Sequence, residues 1–341
     1  MSAPARTVAV DPSVMGQHPA RLASDRPDAS PSAPPERTRV AILLSTYNGA
    51  AYLPAQLRSF QDQTHRDWVL YWRDDGSADA TVAQLDAFAA AEPRCRRLQG
   101  PPGHLGATAS FLTLLRDALP LLADGMVAFA DQDDVWLPDK LARGVAGLAG
   151  DPGPALYCAR QTLVDAGLRR LGASPALGSE HRFPAALARN VAVGCTVLLN
   201  RPAARLVAAS TAPPGAFHDW WCYVLVTAAG GACHCDPAEV ILYRQHGSNA
   251  VGAAAAAPRR ALAAGRRGPG AFMDQLRAML DALAAQPEAL TGTARADVER
   301  LRNALTTGML ARARVLWALR ARLRRTNLAE TVLFRLWFLI G

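Results

Sequence analysis

Two apolar runs of this 341-residue chain each lead directly into a cluster of carboxylates. Residues 68–73 (WVLYWR) precede 74–77 (DDGS), and residues 126–130 (MVAFA) precede 131–134 (DQDD). Short apolar runs of this kind are typical of buried strands in a parallel sheet, whose ligands bind beyond the carboxyl ends of the strands. Carboxylates are costly to bury without hydrogen bonds, an ionic partner or a cation. The two turns therefore predict a divalent metal and a polar, hydroxyl-rich ligand.

Alternating strand and helix patterns over residues 38–255 predict one α/β domain with a mainly parallel sheet covered on both faces. The first strand, 39–44, ends in the turn-forming residues 45–49. Later strands are expected at 155–159, at 194–199 and from 240 onward. Residues 1–37 are rich in Pro, Ala, Ser and Asp without apolar periodicity, and they predict a disordered arm.

Basic residues are concentrated at the end of the chain. Residues 258–341 contain 15 Arg against 6 Asp and Glu, and the whole chain has a net charge of +8, so the preceding part is nearly neutral. The nearly neutral part before residue 258, called the body below, gives little support to nucleic-acid binding, and no nucleic-acid partner is expected. Residues 256–341 are predicted to form a basic helical extension. Its aromatic last segment, 326–341, is expected either to contact an anionic membrane surface or to pack as a hairpin on the body or a second subunit.

The cellular location is predicted from three features of the sequence. No run of about 18 uncharged apolar residues is present to span a membrane, and the first residues lack a secretory pattern. Six cysteines without framework spacing indicate reduced thiols. The spacing of Cys233-His234-Cys235 is too tight for the usual zinc knuckle. A cytoplasmic protein is expected, with peripheral contact at the inner membrane face if the extension binds lipid.

Four motifs occur in the order and spacing seen in family 2 glycosyltransferases: 42–49 (ILLSTYNG), 63–64 (QT), 74–77 (DDGS) and 129–136 (FADQDDVW). The resemblance covers about 38–250. It implies an inverting, metal-dependent enzyme with the nucleotide-diphosphosugar, or GT-A, fold, which is a Rossmann-like α/β fold.

Two further segments resemble the rhamnosyltransferase branch of that family: 218–221 (HDWW) and 243–249 (YRQHGSN). Members of this branch move L-rhamnose from a dTDP donor onto bacterial surface glycans. The implied partners are a dTDP- or UDP-sugar donor and a glycan or lipid-linked glycan acceptor. A UDP-hexose donor remains an alternative, because uracil and thymine differ by one methyl group. A catalytically silent, membrane-associated scaffold of a glycan assembly complex is a second alternative, which the intact acidic residues argue against.

The resemblance assigns donor binding to the ends of the first two strands and to the later acidic turn. Backbone groups of the first turn would grip the base, and Asp74 would accept a hydrogen bond from its N3–H. Taken alone, the 74–77 turn is equally consistent with a helix cap. Arg244 would meet a phosphate or form a surface ion pair. The implied nucleotide-sugar contacts are Ser45, Thr46, Tyr47, Asn48, Asp74, Asp75, Asp131, Asp134 and Arg244.

The implied metal ligands are Asp133, Asp131 and His246. Residues two apart in an extended segment face the same side, so Asp131 and Asp133 would both face one diphosphate and its cation. Hard oxygen ligands suit Mg²⁺ or Mn²⁺. Family precedent makes Asp133 the better ligand and places Asp131 nearer the ribose, with Asp134 behind them. A lone histidine such as His246 is otherwise usually structural.

Asp219 is the candidate catalytic base. Inverting transfer needs a carboxylate that takes the acceptor's proton while the hydroxyl attacks the anomeric carbon. The amino end of the helix at 218–221 is expected to keep Asp219 ionised, although an N-cap would look the same. Two positions depart from the family pattern: Ser110 replaces an Asn that relatives often carry, and Arg73 replaces an apolar strand residue.

Overall fold

Nine strands form one sheet in the computed structural model, which describes residues 38–101, 103–178, 181–246, 269–325 and 327–341. The predicted disordered arm, 1–37, and the 247–249 part of the last motif lie outside these residues. The strands are β1 (Val40–Thr46), β2 (Trp68–Asp74), β3 (Cys95–Arg97), β4 (Met126–Ala130), β5 (Val135–Trp136), β6 (Ala155–Val164), β7 (Arg170–Ala173), β8 (Leu198–Leu199) and β9 (Ala232–Arg244).

Helices connect most of these strands. They are α1 (Leu53–Gln61), α2 (Thr81–Ala91), α3 (Ala107–Ala118), α4 (Lys140–Leu148), α5 (Ala185–Ala188), α6 (Arg201–Ala209) and α7 (His218–Ala228), followed by α8 (Gly270–Ala284), α9 (Gly292–Thr307), α10 (Met309–Ala318) and α11 (Leu328–Ile340). Short 3-10 turns cover Leu119–Leu121, Gly194–Thr196 and Pro287–Ala289.

The sheet is mainly parallel, as predicted. Its order is β3-β2-β1-β4-β8-β6-β9-β5, with β7 paired to β6. The long pairings of β1 with β2 and β4, and of β6 with β9, are parallel. The antiparallel pairings of β8, β5 and β7 are short. Because β1, β2 and β4 run parallel, all three end at the same edge of the sheet.

Apolar residues fill both faces of this sheet. In β1, Ala41 and Leu43 join one buried cluster, whereas Ile42 and Leu44 join the other. Residues of α3, α6 and α7 cover the first face, and residues of α1, α2 and α4 cover the second. Burial on both sides explains why the strands read as continuous apolar runs rather than alternating ones.

The predicted strand at 194–199 is wrong over its first half. Residues Gly194–Thr196 form a 3-10 turn, and only Leu198–Leu199 pair in the sheet. The physical reason is the Asp219 carboxylate, which accepts the Gly194 N–H at 2.8 Å and so takes this donor away from any strand ladder.

The C-terminal helices share the core of the α/β domain. Phe334 and Phe338 of α11 are buried in the cluster that contains α7. The opposite side of α10 and α11 exposes large apolar side chains, namely Met309, Leu310, Trp317, Leu328, Val332, Leu336 and Ile340. Among the described residues, no helix has both the length and the apolar character that crossing a bilayer requires.

Candidate active site

The parallel register brings the acidic turns together. Thr46 of β1 lies beside Asp74 of β2, and Leu44 lies beside Ala130 of β4. The turns that follow these three strands therefore share one edge of the sheet, where α/β proteins bind their ligands. This convergence is the arrangement that the two apolar-to-acidic transitions in the sequence implied.

Asp74 organises the first two turns. Its carboxylate accepts hydrogen bonds from the Thr46 hydroxyl (2.9 Å), the Ser77 hydroxyl (2.6 Å), and the backbone N–H groups of Gly76 (3.0 Å) and Ser77 (2.8 Å). The Ser77 hydroxyl in turn accepts the Asn48 N–H at 2.8 Å. The loop after β1 is thus tied to the loop after β2 through the half-buried carboxylate.

Asp75 is buried and paired with Arg73. The two side chains approach to 2.6 Å, and the carboxylate also accepts the backbone N–H groups of Leu105 and Gly106, both at 2.8 Å. Burial alone would raise the pKa of Asp75, but these hydrogen bonds hold it below its usual value. The carboxylate is therefore ionised and fully engaged by the protein.

The two departures from the family pattern contact each other. The Arg73 guanidinium donates to the Ser110 hydroxyl at 2.7 Å, and this hydroxyl lies 2.6 Å from that of Ser45. Arg73 is 3% exposed, so its charge requires the Asp75 carboxylate. A polar residue in an otherwise apolar strand is explained by this pair.

Tyr47 and Asn48 form the rim of the first turn. The side-chain amide of Gln132 bonds both the N–H and the carbonyl oxygen of Tyr47, each at 2.9 Å. The Tyr47 side chain remains 47% exposed, 4.5 Å from the His104 ring. Asn48 has a positive φ of 48° and accepts the Ala78 N–H. An exposed aromatic ring on a fixed backbone is suited to stacking on a planar base.

The later turn concentrates acidic groups. Oxygens of Asp131 and Asp134 and the Cys195 sulfur all lie within 4.8 Å of one another. Burial and the charges of Asp133 and Asp219 raise the pKa of Asp131 to about 7. Burial and the charges of Asp131 and Asp133 also raise the pKa of Asp134. One oxygen of Asp134 has no hydrogen-bond partner among the described residues. These repelling oxygens fit a divalent cation, which would restore their ionised forms.

His246 and Arg244 join this turn from the end of β9. The His246 Nε2 lies 2.7 Å from an oxygen of Asp133, and its ring stacks on Tyr52 at 4.7 Å. Arg244 donates from its backbone to Asp134 (3.1 Å) and from Nε to the Asp133 carbonyl oxygen (2.7 Å). Because Arg244 is 4% exposed, the alternative of a surface ion pair is wrong.

Asp219 lies in the first turn of α7 beside the same acidic turn, because the ring of the preceding His218 packs 5.1 Å from that of Phe129 in β4. The charge of Asp219 contributes to the raised pKa of Asp131. It accepts the N–H of Gly194 at 2.8 Å and the side-chain amide of Asn190 at 3.2 Å. Burial nevertheless raises the pKa of Asp219 to about 6, against these hydrogen bonds. The helix terminus was expected to favour the ionised form outright, but desolvation outweighs it. A pKa in this range suits a base at neutral pH.

His218 and the two tryptophans of α7 are structural in their contacts. The His218 ring stacks on Phe111 at 4.2 Å, and burial lowers its pKa to about 3, so it is neutral. Trp220 and Trp221 donate from their indole nitrogens to the Ala186 carbonyl oxygen and the Ser210 hydroxyl, both at 2.8 Å. The tryptophans therefore hold α7 against α5 and the end of α6.

Comparison with known proteins agrees with this geometry. Residues 41–197 match the model of glycosyl transferase family 2. Over 225 residues the chain is 26% identical to the dTDP-rhamnosyl transferase RfbG of Shigella flexneri, an alignment that covers 62% of this chain and 74% of RfbG. These findings support a family 2 glycosyltransferase.

Two further similarities bear on fold and donor. The UDP-Glc:alpha-D-GlcNAc-diphosphoundecaprenol beta-1,3-glucosyltransferase WfgD of Escherichia coli is 28% identical over 102 residues, which are 30% of this chain and 38% of WfgD. S. aureus TarS, solved in complex with UDP-GlcNAc, superposes with a TM-score of 0.53 at 12% identity, covering 84% of this chain and 80% of TarS. The latter confirms the predicted GT-A-type α/β fold.

Several residues around the acidic turn were not predicted from the sequence. Gln132 fixes the Tyr47 backbone, and the Gln56 amide donates to the Asp131 carbonyl oxygen at 2.8 Å. The buried Lys140 lies 3.6 Å from the Trp136 ring, and burial lowers its pKa to about 7. The position of Gln132 inside the acidic motif was a usable signal. Gln56 and Lys140 lie in helices, where nothing in the local pattern distinguishes them.

Proposed function

We propose that this protein is an inverting glycosyltransferase that uses a nucleotide-diphosphate sugar and a divalent cation. The observation that carries the proposal is the convergence of the 131–134 turn, at the end of β4, with the start of α7, where His218 packs against Phe129 of β4 and Asp219 follows it. One group of carboxylates suits a cation and the diphosphate, and a separate carboxylate suits proton removal. The match to glycosyl transferase family 2 supports the same reaction class.

Asp219 is the proposed base. Its pKa of about 6 leaves it mainly ionised at neutral pH while retaining the basicity needed to accept a hydroxyl proton. Gly194 and Asn190 donate to its oxygens and fix the carboxylate in place. The acceptor hydroxyl would transfer its proton to Asp219 as its oxygen bonds to the anomeric carbon, from the side opposite the departing diphosphate.

Asp133, Asp131 and His246 are the proposed ligands of Mg²⁺ or Mn²⁺, with the unpaired oxygen of Asp134 beside them. When bound, such a cation supplies positive charge against the diphosphate leaving group. His246 interacts with Asp133 through Nε2, and Arg244 holds the backbone of the turn. Arg244 is thereby a positioning residue for the acidic turn, in addition to its proposed proximity to phosphate.

The proposed donor is dTDP-L-rhamnose, and a UDP-hexose is the competing donor. RfbG supports the first and WfgD the second, the former over a much larger share of both chains. Backbone groups of 45–48 and the carboxylate of Asp74 would bind the pyrimidine and ribose, with Asp75 securing the adjacent loop. The exposed ring of Tyr47 would stack on the base.

A lipid-linked or surface glycan is the proposed acceptor, approached at the inner membrane face. The exposed apolar side of α10 and α11 would meet lipid, with exposed arginines 314, 320 and 324 beside it. Basic and aromatic groups on one surface suit an anionic bilayer. The burial of Phe334 and Phe338 allows the same helices to pack on the body at the same time.

Calorimetric titration tests the proposal. We expect dTDP and UDP to bind more tightly with Mn²⁺ than without it, GDP to bind weakly, and dTDP-L-rhamnose to be turned over. A preference for UDP with turnover of a UDP-hexose would favour the alternative donor. If no nucleotide binds in a cation-dependent way, the proposed enzymatic function is wrong. The catalytically silent scaffold would then be the favoured alternative.

A further inference from the structure

Three cysteines lie on one face of two adjacent strands. Cys158 of β6 pairs in parallel register with Cys235 of β9, and Cys233 precedes Cys235 by two residues, so its side chain faces the same way. The Cys158 and Cys235 sulfurs are 3.4 Å apart, and those of Cys233 and Cys235 are 3.8 Å apart. All three sulfurs lie within 4.8 Å of one another.

This spacing is that of metal ligands rather than of a disulfide. All three thiols are free, and a disulfide would require about 2.05 Å between sulfurs. Zinc bound to cysteine has Zn–S distances of about 2.3 Å in tetrahedral geometry, which places ligand sulfurs about 3.8 Å apart. The Cys158–Cys235 and Cys233–Cys235 separations are close to this value.

His181 supplies a fourth candidate ligand. Its Nε2 lies 2.9 Å from the Gly178 carbonyl oxygen, while Nδ1 is shielded from solvent and has no hydrogen-bond partner among the described residues. An interaction with the Cys235 side chain places the His181 ring beside this thiol. A histidine that binds a metal through one nitrogen usually donates its other N–H to such a carbonyl oxygen.

We propose that Cys158, His181, Cys233 and Cys235 bind one zinc ion as a closed structural site. The spacing of Cys233, His234 and Cys235 in the sequence does not reveal this set of ligands. His234 is not one of them, since it contacts Asp151 at 2.8 Å. The remaining ligands come from β6 and from the loop after β7, which only the folded sheet brings together.

The site would fix the chain segment that leads to the candidate base. His181 lies between β7 and α5, and this segment continues to Asn190, which donates to Asp219. Zinc would therefore join the segment to β6 and β9 at one end, while Asp219 holds the other end. Four protein ligands leave no open coordination position, so the role is structural rather than catalytic.

Metal analysis of the full chain, purified under reducing conditions without chelators, tests the site. We expect one zinc per chain, and at least a tenfold loss of bound zinc in Cys233→Ser and His181→Ala. His181→Cys should retain the metal, since it preserves four ligands. Cys95→Ser and His234→Ala are the matched controls and should keep full zinc. Cobalt substitution of the wild-type chain should give thiolate-to-metal charge transfer and tetrahedral d–d absorption.

Several outcomes would overturn the site. One is a wild-type chain that contains no stoichiometric zinc and shows none of these cobalt bands. Another is a Cys158–Cys235 disulfide in the unreduced chain. A third is a zinc loss in Cys95→Ser as large as that in Cys233→Ser. The result is separable from the proposed transferase activity. Asp133→Asn should retain zinc whether or not the chain transfers sugar, because Asp133 is not one of the four proposed zinc ligands.

Discussion

At the residue scale, burial governs the chemistry of the pocket. The same desolvation that raises the pKa of Asp219 to about 6 raises that of Asp131 to about 7. Asp75 lies nearby and is also buried, yet its pKa is lowered because Arg73 and two backbone donors bind it. Identical carboxylates thus acquire different proton affinities from their partners alone.

Asp219→Asn should spare donor binding and lower turnover by at least about a hundredfold, because it removes the proposed base. In the wild-type chain, turnover should rise with pH through about 6 as Asp219 ionises.

Stability should change in the opposite sense. The pKa of Asp219 in the folded chain, about 6, exceeds its usual value of 3.8, so the free energy of unfolding falls as the pH rises from 3.8 to about 6. Single-turnover rates across pH measure the first effect. Near-normal turnover in the variant would eliminate the role.

Asp133→Asn should abolish turnover and remove the gain in nucleotide affinity that Mn²⁺ provides. The substitution keeps the shape of a side chain that contacts His246 but removes its charge. Calorimetry with dTDP, with and without Mn²⁺, measures the effect. Asp139→Asn is the control, because Asp139 is exposed and lies outside the acidic turn. Unchanged Mn²⁺-dependent affinity in Asp133→Asn would refute the ligand assignment.

Arg73→Met should destabilise the fold by about 3–5 kcal/mol, because it leaves the buried Asp75 carboxylate without its cation. Urea unfolding measures the change. The double variant Arg73→Met with Asp75→Asn should recover part of the loss, since the unpaired charge is gone. Equal unfolding free energies for the wild-type and Arg73→Met chains would show that the pair contributes nothing to stability.

At the element scale, the sequence is sufficient to predict a strand or helix where the local pattern and the tertiary contacts favour the same structure. The β4 strand was predicted at its exact bounds, and β2 to within one residue, because both are apolar runs ended by charge. The 194–199 segment was not, since the carboxylate that turns it comes from α7, distant in the chain. The same limit hid the thiol cluster and the Arg73–Asp75–Ser110 network: each depends on partners from separate elements. The nucleotide and metal assignments remain predictions from family resemblance.

The segment before the 3-10 turn should tune the base. Removing the Asn190 amide with Asn190→Ala deletes a hydrogen bond to the Asp219 carboxylate. A hydrogen bond to a charged group contributes about 1.5 kcal/mol at the lower end, or about one pKa unit. The acidic limb of the pH–rate profile should therefore move upward by up to about one unit, with turnover at high pH largely kept. A loss of turnover independent of pH would indicate a general structural role instead.

At the scale of the whole molecule, the terminal helices serve two surfaces. Phe334 and Phe338 belong to the buried core of the α/β domain. Deletion of residues 312–341 would therefore unfold part of the body as well as remove any lipid contact. The apolar residues on the other side are exposed and separable from the core.

Membrane contact is best tested on that exposed side. The triple variant Trp317→Glu, Leu328→Glu, Val332→Glu changes side chains that are 70%, 76% and 56% exposed, so the fold should be kept. We expect wild-type chain to sediment with phosphatidylglycerol vesicles, and the variant to lose at least tenfold in binding, because it removes apolar contact and adds negative charge. Leu171→Glu, at a 58% exposed position in β7, is the matched control and should bind normally. Vesicle binding that survives the triple variant would assign the exposed face a role other than lipid contact.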